Sequence, residues 1–244
     1  MKLIVKKDYD ELSRYVANEI AECIRSNPRT VLCLPTGNTP VGVYRELTRM
    51  YKEGDVSFAQ CVVFNLDEYY PIDPDDPNSY RSFMKHNLFD HVDLPPESAN
   101  IPNGQAADPE AECERYEAEI RESGGIDLAL LGIGRNGHIG FNEPGRELCL
   151  RTHVVTLTQS TLEANHGPFG SIEAMPKRAL TMGIGSIMSA KRIIVIASGP
   201  SKRQAVEAML SGKVTTDVPA SLLQLHRDVT VVLDELVGVS QCDG

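Results

Sequence analysis

A histidine and a glutamate stand five residues apart in one glycine-rich stretch. It reads Gly134-Arg135-Asn136-Gly137-His138-Ile139-Gly140-Phe141-Asn142-Glu143-Pro144-Gly145. Four glycines in these twelve residues require a backbone that turns tightly or is approached closely. The spacing puts His138 and Glu143 on no common helix face, but a folded loop can bring them together. A carboxylate that orients an imidazole prepares it to move protons near neutral pH. His138 alone reads equally well as a loop histidine bonded to backbone. The dense glycines and the flanking Asn136, Asn142 and Glu143 favour chemistry.

Three other places can contribute. Asp67-Glu68 follows the apolar run Cys61–Leu66, so Asp67 is either a general base at a strand end or part of an ordinary acidic turn. Thr36-Gly37-Asn38-Thr39-Pro40 follows Val31–Leu34. Here Thr39 is placed as a helix N-cap and Pro40 at the first helical position. Such a start offers free N–H groups and the positive end of a helix dipole to a phosphate, or it is a plain capped turn. It is neither a P-loop nor G-x-G-x-x-G. Ser198-Gly199-Pro200-Ser201-Lys202 follows Arg192–Ala197, and Ser201 with Gln204 fits a capping box. Lys202 in a first helical turn opposes the dipole unless an anion binds there; otherwise it is a solvated lysine.

The elements that must position these groups alternate between strand and helix. Strand patterns cover 3–5, 31–34, 61–66, 126–133, 154–157, 192–197 and 229–233. The run 61–66 is read as ended by Asp67-Glu68. Helical spacing covers 12–24, the segment after Pro40, 79–91, 109–122 and 201–210. Residues 71–77 read as a loop and 165–178 as irregular. Strands spaced by helices argue a parallel α/β sheet with right-handed crossovers, in a single domain over residues 1–244. In such sheets ligands bind at the C-terminal ends of strands, where all four candidate segments lie.

Composition narrows the function. The net charge of −10 disfavours a nucleic-acid binder that works by neutralising phosphates. Apolar runs such as Ile193–Ala197 are far too short to span a membrane. The start, Met1 to Lys7, lacks the apolar core of a signal peptide, so a cytoplasmic location is expected. The six cysteines, Cys23, Cys33, Cys61, Cys113, Cys149 and Cys242, form no C-x-x-C pair and read as reduced thiols. No histidine spacing matches a metal site, and Asp73, Asp75 and Asp76 lack calcium-loop spacing, so neither a metal nor another cofactor is expected.

The sequence resembles the glucosamine-6-phosphate deaminase (isomerase) family. The matching stretches are Leu34–Pro40, Asn65-Leu66-Asp67-Glu68-Tyr69 and Leu131–Gly145. Weaker matches are Ser79-Tyr80, Phe83-Met84, Pro176-Lys177 and Ser221–His226. They run through nearly the whole chain in order. The resemblance implies an α/β, modified Rossmann-like fold, a mostly parallel twisted sheet with helices on both faces, and conversion of glucosamine 6-phosphate and water to fructose 6-phosphate and ammonia, without a cofactor. It makes Asp67 the base that moves the C2 proton and His138 the group that opens the pyranose ring, with Glu143 and Asn136 as its partners. It makes Thr36, Gly37, Asn38, Thr39 and Lys202 the phosphate contacts. The implied partner is a small aminosugar phosphate, bound by a monomer or small homo-oligomer.

Three positions depart from the family pattern. Asn136 stands where many members carry Asp, which leaves Glu143 as the charged partner of His138. The family's phosphate-clamping Arg is missing from Asn165-His166-Gly167-Pro168-Phe169, and Arg178 or Arg203 is a candidate substitute. His153 and Val155 replace basic residues of the allosterically activated members, so no activation by N-acetylglucosamine 6-phosphate is expected. Three alternatives stay open: a galactosamine-6-phosphate enzyme of the same family, a 6-phosphogluconolactonase, and a non-catalytic sugar-phosphate sensor.

Overall fold

The computed structural model describes residues 1–239; the last of the six cysteines, Cys242, lies outside them. Ten strands and seven helices follow in chain order. They are β1 (Lys2–Lys6), α1 (Tyr9–Ser26), β2 (Val31–Leu34), α2 (Val41–Lys52), β3 (Val62–Asn65), β4 (Asp67–Tyr70) and α3 (Tyr80–Asn87). Then come β5 (Ala99–Asn100), α4 (Pro109–Glu122), β6 (Leu128–Gly132), β7 (His153–Thr156), α5 (Gln159–Asn165) and β8 (Arg178–Thr181). The chain closes with α6 (Ile184–Met188), β9 (Arg192–Ala197), α7 (Arg203–Met209) and β10 (Val229–Asp234).

Seven strands form one parallel sheet in the order β1-β10-β9-β6-β2-β3-β5. Its inner strands β2, β6 and β9 are buried and almost wholly apolar because both faces are covered. Leu32, Leu34, Leu130, Ile194, Ile196 and Val232 face the layer of α1, α2 and α3. Val31, Cys33, Leu131, Val195 and Val231 face the opposite layer, with Tyr116 of α4 and Val206 of α7. Local chemistry sets the helix starts. Asp8 caps α1 by accepting the Glu11 N–H at 2.8 Å. Asp108 caps α4 with Pro109 at the first helical position. Among the described residues no helix is long and apolar enough to cross a membrane.

The expected parallel α/β sheet is present, and beside it lies a feature the sequence pattern did not separate. A second sheet of three antiparallel strands, β4-β8-β7, stands apart from the first. Asp67-Glu68 therefore does not end the strand 61–66. The acidic pair opens β4, with only Leu66 between the two sheets. The Leu66 carbonyl accepts the Met182 N–H at 2.7 Å just beyond β8, so the chain passes from one sheet directly into the next. The 165–178 stretch is irregular as expected, but it is entered by α5 and left by β8.

Candidate active site

β2 and β6 are neighbours, yet β3 continues to one side of them and β9 to the other. The loops after β2 and β6 thus leave in opposite directions and open a crevice, the usual ligand position in such sheets. A cleft of about 230 Å³ fills it. The loop after β2 contributes Pro35–Pro40, and the loop after β6 contributes Gly134, His138, Gly140 and Phe141. Asp67, Tyr80, Asn165 and Lys202 complete its walls. That volume falls below the range typical of drug-sized ligands and suits a small polar metabolite. A wider groove of about 590 Å³ beside α2 and α3 shares no residue with the cleft. Its Arg45 and Arg49 are already paired with Asp10 and Glu46, at 2.9 and 3.0 Å.

Asp67 faces Thr181 of β8 across the second sheet and is only 6% exposed. Burial, and then the charge of adjacent Glu68, push its carboxyl up to about 8. The loop after β6 passes close beside it. A Cβ on Gly140, whose φ is +58°, would stand 3.3 Å from Asp67 Oδ2 and 3.0 Å from Thr181 Oγ1. A glycine lets the loop take this conformation without touching the carboxylate.

The fold brings His138 and Glu143 together. Nδ1 lies 3.3 Å from Glu143 Oε1. This is an ion-pair distance without hydrogen-bond alignment, since Nδ1 is buried and bonded to nothing among the described residues. Glu143 is held from two further sides. Asn136 Nδ2 donates to Oε2 at 2.7 Å, and the Thr161 hydroxyl of α5 donates to Oε1. Burial raises the Glu143 carboxyl, but the His138 ring, the Thr161 hydroxyl and the Asn136 amide outweigh it and hold it at about 2. Asn136 reaches Glu143 with its amide and the His138 backbone N–H with its oxygen, at 3.2 Å, so it orders the loop rather than the ring.

The cleft's other end is rich in donors. Among the described residues the N–H groups of Gly37, Asn38 and Thr39 have no protein acceptor. Gly37 takes a φ of +100° to make that turn. Thr39 is not the N-cap of α2. The helix starts at Val41, and Tyr9 of α1 caps it instead. The Tyr9 hydroxyl accepts the Gly42 N–H at 2.7 Å and donates to the Thr39 carbonyl at 2.9 Å. The capping box of Ser201 and Gln204 also does not form, because a 3-10 turn over Pro200–Lys202 delays α7 to Arg203. Asp234 anchors the loop in its place, accepting the Ser198 hydroxyl and, at 3.1 Å, the Gly199 N–H. Lys202 enters the cleft and donates to the Ile133 carbonyl at 2.6 Å. Burial, and then the charge of Arg135, lower its pKa. Neither candidate substitute for the missing arginine lines the cleft. Arg178 lies over the Tyr70 ring, and Arg203 Nε donates to the Val237 carbonyl at 3.0 Å.

The family described as Glucosamine-6-phosphate isomerases/6-phosphogluconolactonase matches residues 6–232. A glucosamine-6-phosphate deaminase of Clostridium perfringens is 53% identical over 96% of this chain and 97% of its own length. The chain belongs to this family. Another member, the glucosamine-6-phosphate deaminase of a Thermoanaerobacter species, is 50% identical over 96% of this chain and 93% of its own. A solved structure described as a monomeric glucosamine-6-phosphate deaminase superposes with a TM-score of 0.95 at 49% identity, covering 98% of this chain and 99% of that one. A 6-phosphogluconolactonase from Trypanosoma cruzi superposes at 0.78 with 20% identity, covering 99% and 97%, and shares the fold.

All nine family positions named from the sequence gather at this crevice. Asp67, His138, Thr36, Gly37, Asn38, Thr39 and Lys202 line it, while Asn136 and Glu143 stand behind His138. Sequence reasoning gave no role to Thr161, since nothing marked α5 as a helix. Tyr80 was quoted only as part of a weak match, yet it forms a cleft wall and stacks on Phe141 with ring centroids 6.1 Å apart.

Proposed function

We propose that this chain is a glucosamine-6-phosphate deaminase, a deaminating aldose–ketose isomerase that releases fructose 6-phosphate and ammonia. One observation carries the reading. A buried carboxylate, Asp67, and a carboxylate-backed imidazole, His138, face one small cleft whose far end holds free N–H groups and a lysine.

The substrate's phosphate sits at the 36–39 loop with Lys202 as counter-charge. His138 moves the proton between O1 and O5 as the hemiacetal opens, and Glu143 balances the charge the ring gains. Asp67 takes the C2 proton and returns it to C1. The electron pair of the C2–H bond forms C2=C1 while the C1=O π pair moves onto O1, which takes a proton from the substrate's ammonium; re-protonation at C1 then draws the nitrogen lone pair into C2=N and leaves a C2 imine. Water adds to that imine and ammonia departs. Glu143 at about 2 stays ionised throughout the working pH range, and Asp67 in its dry setting is a stronger base than an exposed carboxylate.

The net charge of −10 and the small cleft fit a metabolite rather than a macromolecule as partner. The five described cysteines are all unpaired, which supports a reducing, cytoplasmic setting. We read the whole chain as one deaminase domain and, on the likeness to a monomeric relative, as a monomer. Light scattering after gel filtration checks the mass. The function is tested by ammonia release from glucosamine 6-phosphate, with galactosamine 6-phosphate and 6-phosphogluconolactone run beside it. Ammonia from the gluco substrate is the expected result. Lactone hydrolysis without ammonia release would overturn the reading, and so would binding without turnover.

A further inference from the structure

Glu68 follows Asp67 on β4 and points to the other face of the strand, away from the cleft and toward the start of α3. It is 2% exposed. No lysine or arginine side chain forms an ion pair with it among the described residues. Three backbone N–H groups satisfy it instead. Oε1 accepts from Tyr69 and Tyr80 and Oε2 from Arg81, all at 2.9 Å. Ser79 Oγ takes the next N–H of the helix, that of Ser82, at 3.0 Å. The first three N–H groups of α3 are thus all bound by side chains, two of them by Glu68. A carboxylate at this end of a helix is also favoured by its dipole.

The first residue of that helix is Tyr80. Its ring walls the cleft, stacks on Phe141, and its hydroxyl donates to Tyr69 Oη at 3.1 Å. One buried carboxylate therefore fastens the strand carrying Asp67 to the helix start carrying Tyr80. We propose that Glu68 is a positioning residue of this active site, locking Tyr80 and Asp67 into one rigid frame around the substrate. The charge acts as well as the geometry. Glu68 is the like charge that acts on Asp67; burial, against its three N–H partners, pushes its own carboxyl up to about 7, so it helps hold Asp67's proton as pH rises through that value. The other titratable groups around Asp67 are Cys33 on β2, Tyr69 on β4, Tyr80 on α3 and His138 on the loop after β6. Arg81 acts on Glu68 by its charge, and Asp75 lines the same small cavity.

The inference rests on the deaminase reading for its kinetic arm only. Glu68→Gln keeps the size but turns one acceptor into a donor facing an N–H group. A misplacement of about 1 Å at such a wall costs up to about 100-fold. The expected result is a 10- to 100-fold lower kcat/KM, with the acid limb of its pH profile moved to lower pH. The loss should shrink to under about 3-fold in a Tyr80→Ala background, because the two residues act through one contact. A wild-type profile, or a loss fully additive with Tyr80→Ala, overturns the proposal. Should Glu68→Gln fail to fold, Glu68→Asp decides. A lower kcat with an unmoved acid limb supports the proposal, and wild-type kcat overturns it. The second arm needs no turnover. Carboxylate ¹³C shifts follow Asp67 in the ligand-free protein, and its midpoint should fall in Glu68→Gln. An unmoved midpoint sinks the inference even if the enzyme is active. An inactive wild-type enzyme with a moved midpoint sinks the function and leaves the Glu68 coupling standing.

Discussion

Gly134 lies directly beneath the His138 ring: a Cβ placed on the glycine would fall 2.4 Å from Nε2. The position needs no unusual φ, so alanine can adopt its backbone conformation. What alanine cannot do is leave the ring where it is. Gly134→Ala should therefore displace the imidazole and spare the fold. The displaced side chain costs about 0.5–1.5 kcal/mol if it leaves its rotamer well. Turnover of the cyclic sugar should fall about 100-fold, the effect of roughly 1 Å of misplacement. Thermal unfolding and steady-state kinetics read the two effects separately. Normal turnover would show that His138 has no exacting position to keep.

Asp67 gives a prediction with opposite signs for activity and stability. Asp67→Asn should lower turnover by about 10²–10⁴-fold, the usual size of general acid–base catalysis. Loss of deuterium from C2 of labelled substrate should stop with it. The same change should stabilise the protein at alkaline pH. In the folded state the carboxyl titrates at about 8 instead of its ordinary 3.8. Between those values the folded chain holds a proton the unfolded chain has released, so stability falls as pH rises through that window. The variant lacks this loss. Its Tm should exceed the wild-type value at pH 8 and the gap should close toward pH 4. A gap of constant size would show that Asp67 does not titrate in that range.

Much of this site was legible because its residues sit in chain segments that carry their own signal. Val31–Leu34, Arg192–Ala197 and Pro109–Glu122 are strand, strand and helix with the boundaries read from pattern alone. Asp67-Glu68 was misread as a strand end because acidic residues are poor strand formers. Here the partners decide: β8 pairs with the strand, and three N–H groups satisfy Glu68. β8 and α6 have four and five residues, too few to show a period. The expected helix caps failed for a related reason. Tyr9 and Asp234, each thirty or more residues away, supply what Thr39 and Ser201 were expected to supply.

Glu143 gives a prediction of the opposite sign in acid. Its carboxyl is held at about 2, below its ordinary 4.5. The stabilisation is fully present above pH 4.5 and is lost as pH falls toward 2. Glu143→Gln should lower Tm at pH 6, with the difference vanishing near pH 2. Its kinetic signature differs from that of Asp67. Turnover of the pyranose should fall, while an analogue already in the open-chain form should be affected less, because His138 serves ring opening. Equal losses on cyclic and open substrates would place the pair in another step.

The phosphate end of the cleft decides the last prediction. Lys202 is the lysine that lines the cleft, and its ammonium is fixed by the Ile133 carbonyl. Arg135 stands two residues beyond that carbonyl and makes no ion pair among the described residues, so it adds positive potential without entering. A charge-assisted contact to phosphate contributes roughly 1.5–3 kcal/mol. Lys202→Ala should thus raise KM by about 10- to 150-fold, at 1.4 kcal/mol per decade. Arg135→Ala should raise it by less than about 5-fold, since the side chain is exposed and screened. Both effects should fall on KM more than on kcat, because the phosphate is held equally in ground and transition states. The sugar's 4-hydroxyl then separates the two candidate substrates. A site built to hydrogen-bond that hydroxyl rejects the epimer strongly. We expect a larger kcat/KM for glucosamine 6-phosphate than for galactosamine 6-phosphate. The reverse ratio, with the Lys202 effect intact, would keep the mechanism and change the substrate.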